Sequence, residues 1–344
     1  LDDEGAWYRY HHLFQELLRH QLTTRYGPDV VVALHDRASL WFSDNGLIEE
    51  ALTHALAANN VSAAVRILAQ NRLQTVNDQQ MHRIRRWLAM FPQTVIEEYL
   101  ETLMLQAWVL HHEFRLPELS ALLDRVEVKI AQQAPDQDPG ASESVQAEVD
   151  TLRCQEYYWK GNGRLSADLA LRALRTPPID HPFLHSSLLG LGAMAHQLNG
   201  DLRGSYELLY NELSNPSSDD PVFRGVLLIG LLLSTFPAGD LRQAERIAKQ
   251  LLDQGTKYGV VPFASWANHF LGHIAYQRNE VAIAQKHFGA AIEDRHRIHT
   301  QSLTHSSYGL ALAYQAQGMV DEAQQVADEV MDYCLASGTP RALL

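Results

Sequence analysis

Five stretches in the second half of the chain break its helical pattern at a nearly constant interval: YYWKGNGRLSADLALRAL, AHQLNGDLRGSYELLYNEL, LSTFPAGDLRQAERIAKQLL, AYQRNEVAIAQKHFGAAI and AYQAQGMVDEAQQVADEV. Their equivalent turn residues, Gly161, Gly200, Gly239, Asn279 and Gly318, lie 39, 39, 40 and 39 positions apart. Each marks a helix end, and so a turn between two helices. A fixed period of this length means a solenoid, because one helix pair cannot bury its apolar face alone and must stack on the next. The first register is the least defined, since Gly163 competes with Gly161. Five places beyond each turn stands a small residue, Ser166, Ser205, Ala244, Ala284 or Ala323. It lets the paired antiparallel helices approach closely.

Elsewhere apolar residues recur at spacings of three and four, and no alternating β-branched run appears, so the chain reads as all α. Breaks fall at SDNG (Ser43 to Gly46), Asn59 with Asn60, TPP (Thr176 to Pro178) and SNPSSDDP (Ser214 to Pro221). The stretch QQAPDQDPGASES, Gln132 to Ser144, is poor in apolar residues and reads as a loop or linker. Leu271, Gly272, Ala284, Phe288 and Ala291, with Leu310, Ala311, Tyr314 and Ala323, resemble the tetratricopeptide consensus. The usual period of that repeat is about 34, and helices longer by about a turn in total absorb the difference. The expected architecture is a right-handed superhelix of antiparallel helix pairs, with Leu271, Phe288 and Tyr314 filling its seams.

Several function classes have little support. A net charge of −13 opposes a nucleic-acid surface, which needs a basic stripe. Cys154 and Cys334 are the only cysteines, giving neither a disulfide framework nor a CxxC site, so a reducing cytoplasm is expected. The most apolar run, VLLIGLLL from Val226, is much shorter than the roughly 20 residues of a membrane span. No GxxxxGK[ST] loop occurs, and GNGRLS at Gly161 lacks its ending. Glu49 with Glu50, and Glu97 with Glu98, are adjacent rather than convergent, and no GxSxG elbow is present. The expectation is no enzyme, no cofactor and no metal in this chain. His269 and His273 share a helical face at i and i+4, but no third ligand is evident near them. The pairs beginning at His11 and His111, and RHRIH from Arg295 to His299, place neighbours on different faces and read as structural or exposed.

A binding groove has more support. On the helix from Phe263 to Gln277, a wheel at 100° per residue gathers Phe263, Ala267, Phe270, Leu271, Ile274 and Ala275 on one side. Trp266, His269, His273 and Tyr276 fall on another. One repeat later this second face holds His305, Tyr308, Leu312 and Gln315. One repeat earlier it holds Val226, Ile229, Leu233 and Phe236, then Ser187, Gly190, Met194 and Gln197, then Glu148, Thr151, Gln155 and Tyr158. In tetratricopeptide arrays this face lines the concave surface. Tyr158, Gln197, Phe236, Trp266, His269, His273, Tyr276, His305, Tyr308 and Gln315 are therefore the candidate site, suited to a sugar, a nucleotide-like ligand or a peptide. The competing reading has Trp266 and Tyr276 simply packing against the next repeat.

Three further stretches carry a family resemblance: YRYHHLFQELLRHQL, HDRASLWFSDNGLIEEALTHALAANNVSAAVRILAQ from His35, and RIRRWLAMFPQTVIEEYLETLMLQAWVL from Arg83. In order and spacing they resemble the middle of the large MalT-like, LuxR-type ATP-dependent transcriptional activators. There a signal-transduction ATPase with a winged helix precedes a helical arm and a tetratricopeptide-like superhelix, and a helix-turn-helix closes the chain. The resemblance implies that residues 1–26 are the tail of the winged-helix module, 27–131 the arm and first helix pairs, 132–146 a flexible loop and 147–344 the repeats. With Leu1 at its start, no phosphate loop and no basic recognition helix, the chain reads as a piece of a longer bacterial protein. ATP is then implied only for the ATPase outside it. The resemblance implies a sensor that binds a small-molecule or peptide inducer and relays its presence to that ATPase. The alternative is a scaffold that binds a partner protein through the same groove. Neither reading involves nucleic acid or membrane.

Overall fold

A computed structural model describes residues 11–78, 80–132, 139–174, 182–214 and 220–336. Among them every regular element is an α-helix. In chain order these are α1 (His12–Tyr26), α2 (Pro28–Asp44), α3 (Ile48–Ala57), α4 (Val61–Asn77), α5 (Met81–Leu88), α6 (Gln93–Glu98), α7 (Leu100–His112), α8 (Leu116–Gln132) and α9 (Pro139–Trp159). There follow α10 (Gly163–Ala173), α11 (Pro182–Leu198), α12 (Leu202–Leu213), α13 (Pro221–Thr235), α14 (Leu241–Tyr258), α15 (Val261–Gln277), α16 (Val281–Ile292), α17 (Thr300–Ala316) and α18 (Val320–Ala336). Helix α9 starts at Pro139, inside the stretch read above as linker; proline, lacking an N–H, suits a helix's first turn. The TPP break and residues 133–138 and 215–219 lie outside the described residues. No described helix is long and apolar enough to cross a membrane.

The chain divides into two compact units, residues 1–71 with 87–102, and residues 72–86 with 103–344. In the first, α2 packs on α1 and α3. Helix α3 buries Ile48, Ala51, Leu52 and Ala55, spaced i, i+3, i+4 and i+7, as an amphipathic helix must. The Ser39 hydroxyl donates to the Ala51 carbonyl at 2.9 Å, locking α2 against it. Helix α1 buries nothing, and Leu13, Phe14, Leu17 and Leu18 are exposed.

The second unit carries the repeats. Gly161, Gly200, Gly239, Asn279 and Gly318 all have positive φ, between 61° and 83°, and Gly163 instead opens α10, which settles the first register on Gly161. Directly after three of these turns an acceptor side chain caps the next helix: Asn162 takes the Leu165 amide, Asp201 that of Gly204 and Asp240 that of Gln243. Each such cap stabilises by about 1 kcal/mol. The small residues Ser166, Ser205, Ala244 and Ala284 are wholly buried where paired helices cross.

Helices α9, α11, α13, α15 and α17 lie side by side, and α10, α12, α14, α16 and α18 pack beside them. Two seams show how closely. A Cβ on Gly230 of α13 would stand 3.1 Å from the Gly190 Cα of α11. The fully buried Phe288 of α16 fills the space above Gly272 of α15 and Gly309 of α17, where an added Cβ would meet its ring at 2.7 and 2.4 Å. The array also curls back on itself: Phe114, just after α7, packs against Val330 and Cys334 of α18.

Candidate functional site

The curl encloses a cleft of about 1000 Å³, its open mouth included. Its walls come from the start of α5, the end of α7, α9, α11, α13 and the starts of α15 and α17. Leu191 and Met194 of α11, with Val226, Ile229 and Leu233 of α13, make an apolar floor, and the approach of Gly190 and Gly230 lies within it.

Three tryptophans border this floor. The Trp108 indole N–H donates at 2.8 Å to Glu148, whose other oxygen takes the Arg72 guanidinium at 2.7 Å. All three groups are buried, so the carboxylate is held by both and orients the Trp108 ring. Phe183 lies 5.6 Å from that ring, and its backbone N–H donates to Asn77 at 3.0 Å. Trp159 stands edge-on to Phe114 at 5.0 Å, and its indole N–H is buried without a hydrogen-bond partner. Trp266 stacks on Phe270 and meets His269 edge-on.

The polar part of the lining is uncharged. Among the described residues, no Asp, Glu, Lys or Arg lines the cleft. His111 shares a hydrogen bond with the Gln155 side-chain oxygen. The His299 ring accepts the Gln301 backbone N–H at 3.1 Å and bonds to the His111 backbone, while His112 bonds to the Ile298 backbone. Burial pushes the His111 imidazole down to about 4 and that of His112 to about 3, with Arg85 adding to the latter; His299 is lowered by burial and by the other two histidines. The three rings are neutral at pH 7.

Of the ten candidate site residues, only Trp266 borders this cleft. Thr151, Gln155, Ser187, Gly190, Met194, Val226, Ile229 and Leu233, which the repeat register sets on the same face, line it as well. Glu148, set there too, is instead buried against Arg72 and Trp108. Further along α15, His269 is buried and bonds to Ser306 at 3.0 Å, with His273 at 4.6 Å and His305 at 6.1 Å between ring centroids. Phe236 lies 5.9 Å from His273. No group of three or more metal-ligating side chains is found among the described residues. Tyr158, Gln197 and Tyr276 are half-buried; His305, Tyr308 and Gln315 are exposed.

The candidate face is therefore not one open groove: Trp266 and His269 are buried, Tyr276 is half-buried and Tyr308 is exposed. Across the α15 to α17 seam the touching side chains are offset by 37 residues, Ser265 on Ser302 and His269 on Ser306, so the period does not pair them. His111, His112 and His299, read from sequence as structural or exposed, converge at the rim of the cleft. Trp108, Trp159, Phe183 and Gln301 were not anticipated. Apart from their aromatic or amide character, no sequence signal marks them, because they meet only through the curl.

Comparison with known proteins finds likeness over part of the chain. Residues 1–31 match the MalT winged helix domain. The chain is 27% identical over 202 residues, 59% of its length, to the HTH-type transcriptional regulator MalT of Yersinia enterocolitica, and equally to that of Serratia proteamaculans. It is 26% identical over 221 residues, 62% of its length, to the serine/threonine-protein kinase PknK of Mycobacterium tuberculosis. The chain spans about a fifth of the length of these curated relatives.

Proposed function

We propose that this MalT-like chain is the sensor segment of a transcriptional regulator, and that it takes a small effector in the cleft of its curled repeat array. The observation that carries the reading is that the end of α7 and the start of α17, far apart in the chain, meet at the cleft, His111 against His299. An occupant touching helices from α7 to α17 alters how these ends fit together. Repeat arrays transmit such changes because each pair contacts only its neighbours. The resemblance supplies the recipient, an ATPase module beyond this chain. Binding and relay require no catalytic step or cofactor here, and localisation in the cytoplasm fits that role.

The exposed Tyr308 and Leu312 favour a second reading, in which the array binds a partner protein. Thermal melting of the chain with a library of metabolites separates the two. A small molecule at 100 times its dissociation constant stabilises by about 2.7 kcal/mol. Ile229→Trp, which fills the cleft from its half-buried floor, should abolish that gain. If no small molecule raises the melting temperature while a protein partner does, the scaffold reading replaces the sensor.

A further inference from the structure

We infer that the seam between the end of α7 and the start of α17 is a proton-sensitive latch on the cleft, closed while His111, His112 and His299 are all neutral and released by mild acid as the three rings charge together. The latch is a property of the fold; only its use, setting when an effector can enter or leave, rests on the sensor reading above.

The seam is thin and depends on these rings. Helices α7 and α17 do not pack along their lengths. They meet where His299 stands edge-on to His111 and His112, with His112 bonded to the Ile298 backbone and His299 to that of His111. His112 is buried, and His111 and His299 are half-buried at the rim of the cleft. Phe114, packed on α18, helps to hold the seam shut but carries no charge, so it leaves any pH dependence to the histidines.

The surroundings give a proton no place in the closed form. From α5, Arg85 faces His112, and Glu113 holds that guanidinium at 3.1 Å. Helix α9 brings the Gln155 amide to His111, α15 the Trp266 ring to His299, and α17 a further imidazole, His305. No carboxylate is among the described groups acting on the three rings. Charging one of them would set a cation against Arg85 or against the other imidazoles with nothing to offset it. Once the seam parts, water reaches all three and each regains an ordinary histidine pKa of about 6.5. Opening thus takes up as many as three protons, and linkage multiplies their effects. One ring alone would shift the opening equilibrium only about fourfold between pH 7.5 and 6.0, whereas three shift it about fifty-fold.

The test reads the accessibility of His112 in the whole chain with no ligand added. Initial rates of carbethoxylation by diethyl pyrocarbonate are followed by mass spectrometry at pH 7.5 and 6.0 and divided by the rate at exposed His296, which removes the pH dependence of the reagent. The normalised His112 rate should rise about fifty-fold on acidification. In His299→Asn, which keeps an acceptor for the Gln301 amide, and in His111→Gln, the rise should drop to about fifteen-fold, the effect of two rings. His269, buried in the α15 to α17 seam against Ser306, should keep a constant normalised rate. A flat His112 rate in the wild-type chain overturns the inference without any variant, and so does a variant that keeps the full rise. Labelling of His269 in step with His112 overturns it too, because the chain is then unfolding as a whole. If His112 opens as expected but no small molecule of any class stabilises the chain, the latch stands and the sensor reading falls. If a small molecule stabilises the chain while the His112 rate stays flat, the reverse holds.

Discussion

The His299 ring stands edge-on to that of His111, centroids 5.6 Å apart, and so joins the loop after α16 to the end of α7. His112 approaches His299 equally closely, at 5.5 Å, and Phe114 adds a third aromatic edge at 6.2 Å. The contact closes the array on itself and fixes its curvature, which a period alone leaves free. It is also made of groups that must stay neutral to remain buried.

Acid should therefore loosen the closure. Burial lowers the folded-state pKa of His111 to about 4 and that of His112 to about 3, below the ordinary 6.5. Between pH 6.5 and 4 the unfolded chain then binds more protons than the folded one. Stability is full above pH 6.5 and falls as pH drops through that window, by about 2 kcal/mol at pH 5 for each such histidine. Urea midpoints at pH 7.5 and 5.0 measure it. In His111→Gln the difference between the two midpoints should shrink; an unchanged difference would refute the assignment to this seam.

The repeat period made much of this legible. The positive-φ turns and the small residues behind them follow from backbone and packing constraints that act within one helix pair. Val226, Ile229, Leu233, Gly190 and Met194 share the concave face because successive first helices stack side by side. What was not legible depends on geometry that builds up over several repeats. Small rotations between pairs add up to the curl that brings His299 to His111. Glu148 has the right register but a partner outside the repeats, Arg72, turns it into a buried support.

A second outcome concerns Phe288, fully buried between two glycines. Phe288→Ala should cost about 3 to 5 kcal/mol through the cavity it leaves. Gly309→Ala alone should cost about 1 to 3 kcal/mol, since its Cβ would sit 2.4 Å from the ring. In the Phe288→Ala background the same methyl enters empty space and should cost much less. Additive free energies in this double-mutant cycle would show that the ring and the glycine do not compete for one volume.

Phe114 offers a reversed ranking. Its φ of 59° is unfavourable for a bulky residue, yet its ring packs against Trp159 and the α18 pair Val330 and Cys334. Alanine would lose the packing and keep the strain, whereas glycine would lose the packing and relieve the strain. Phe114→Gly should therefore be more stable than Phe114→Ala by about 1 kcal/mol. Thermal melting of the two variants checks the order, and alanine ranking above glycine would contradict the left-handed turn.

The buried trio of Arg72, Glu148 and Trp108 carries the last expectation. Glu148→Gln preserves a side-chain carbonyl for the Trp108 N–H but removes the negative charge facing the Arg72 guanidinium. A buried cation deprived of its counter-charge costs about 3 to 5 kcal/mol. Changing Arg72 to Met as well removes the cation and keeps its bulk, and replacing a buried ion pair with apolar groups is often close to neutral. The double variant should thus recover most of the stability that Glu148→Gln loses, with the carbonyl of the introduced amide still accepting from Trp108. The Trp108 ring would keep its place at the cleft, so the tryptophan emission should return to its wild-type wavelength alongside the urea midpoint. A double variant that regains stability but not that emission would mean that the charge of Glu148, rather than the bond it accepts, holds the ring in position.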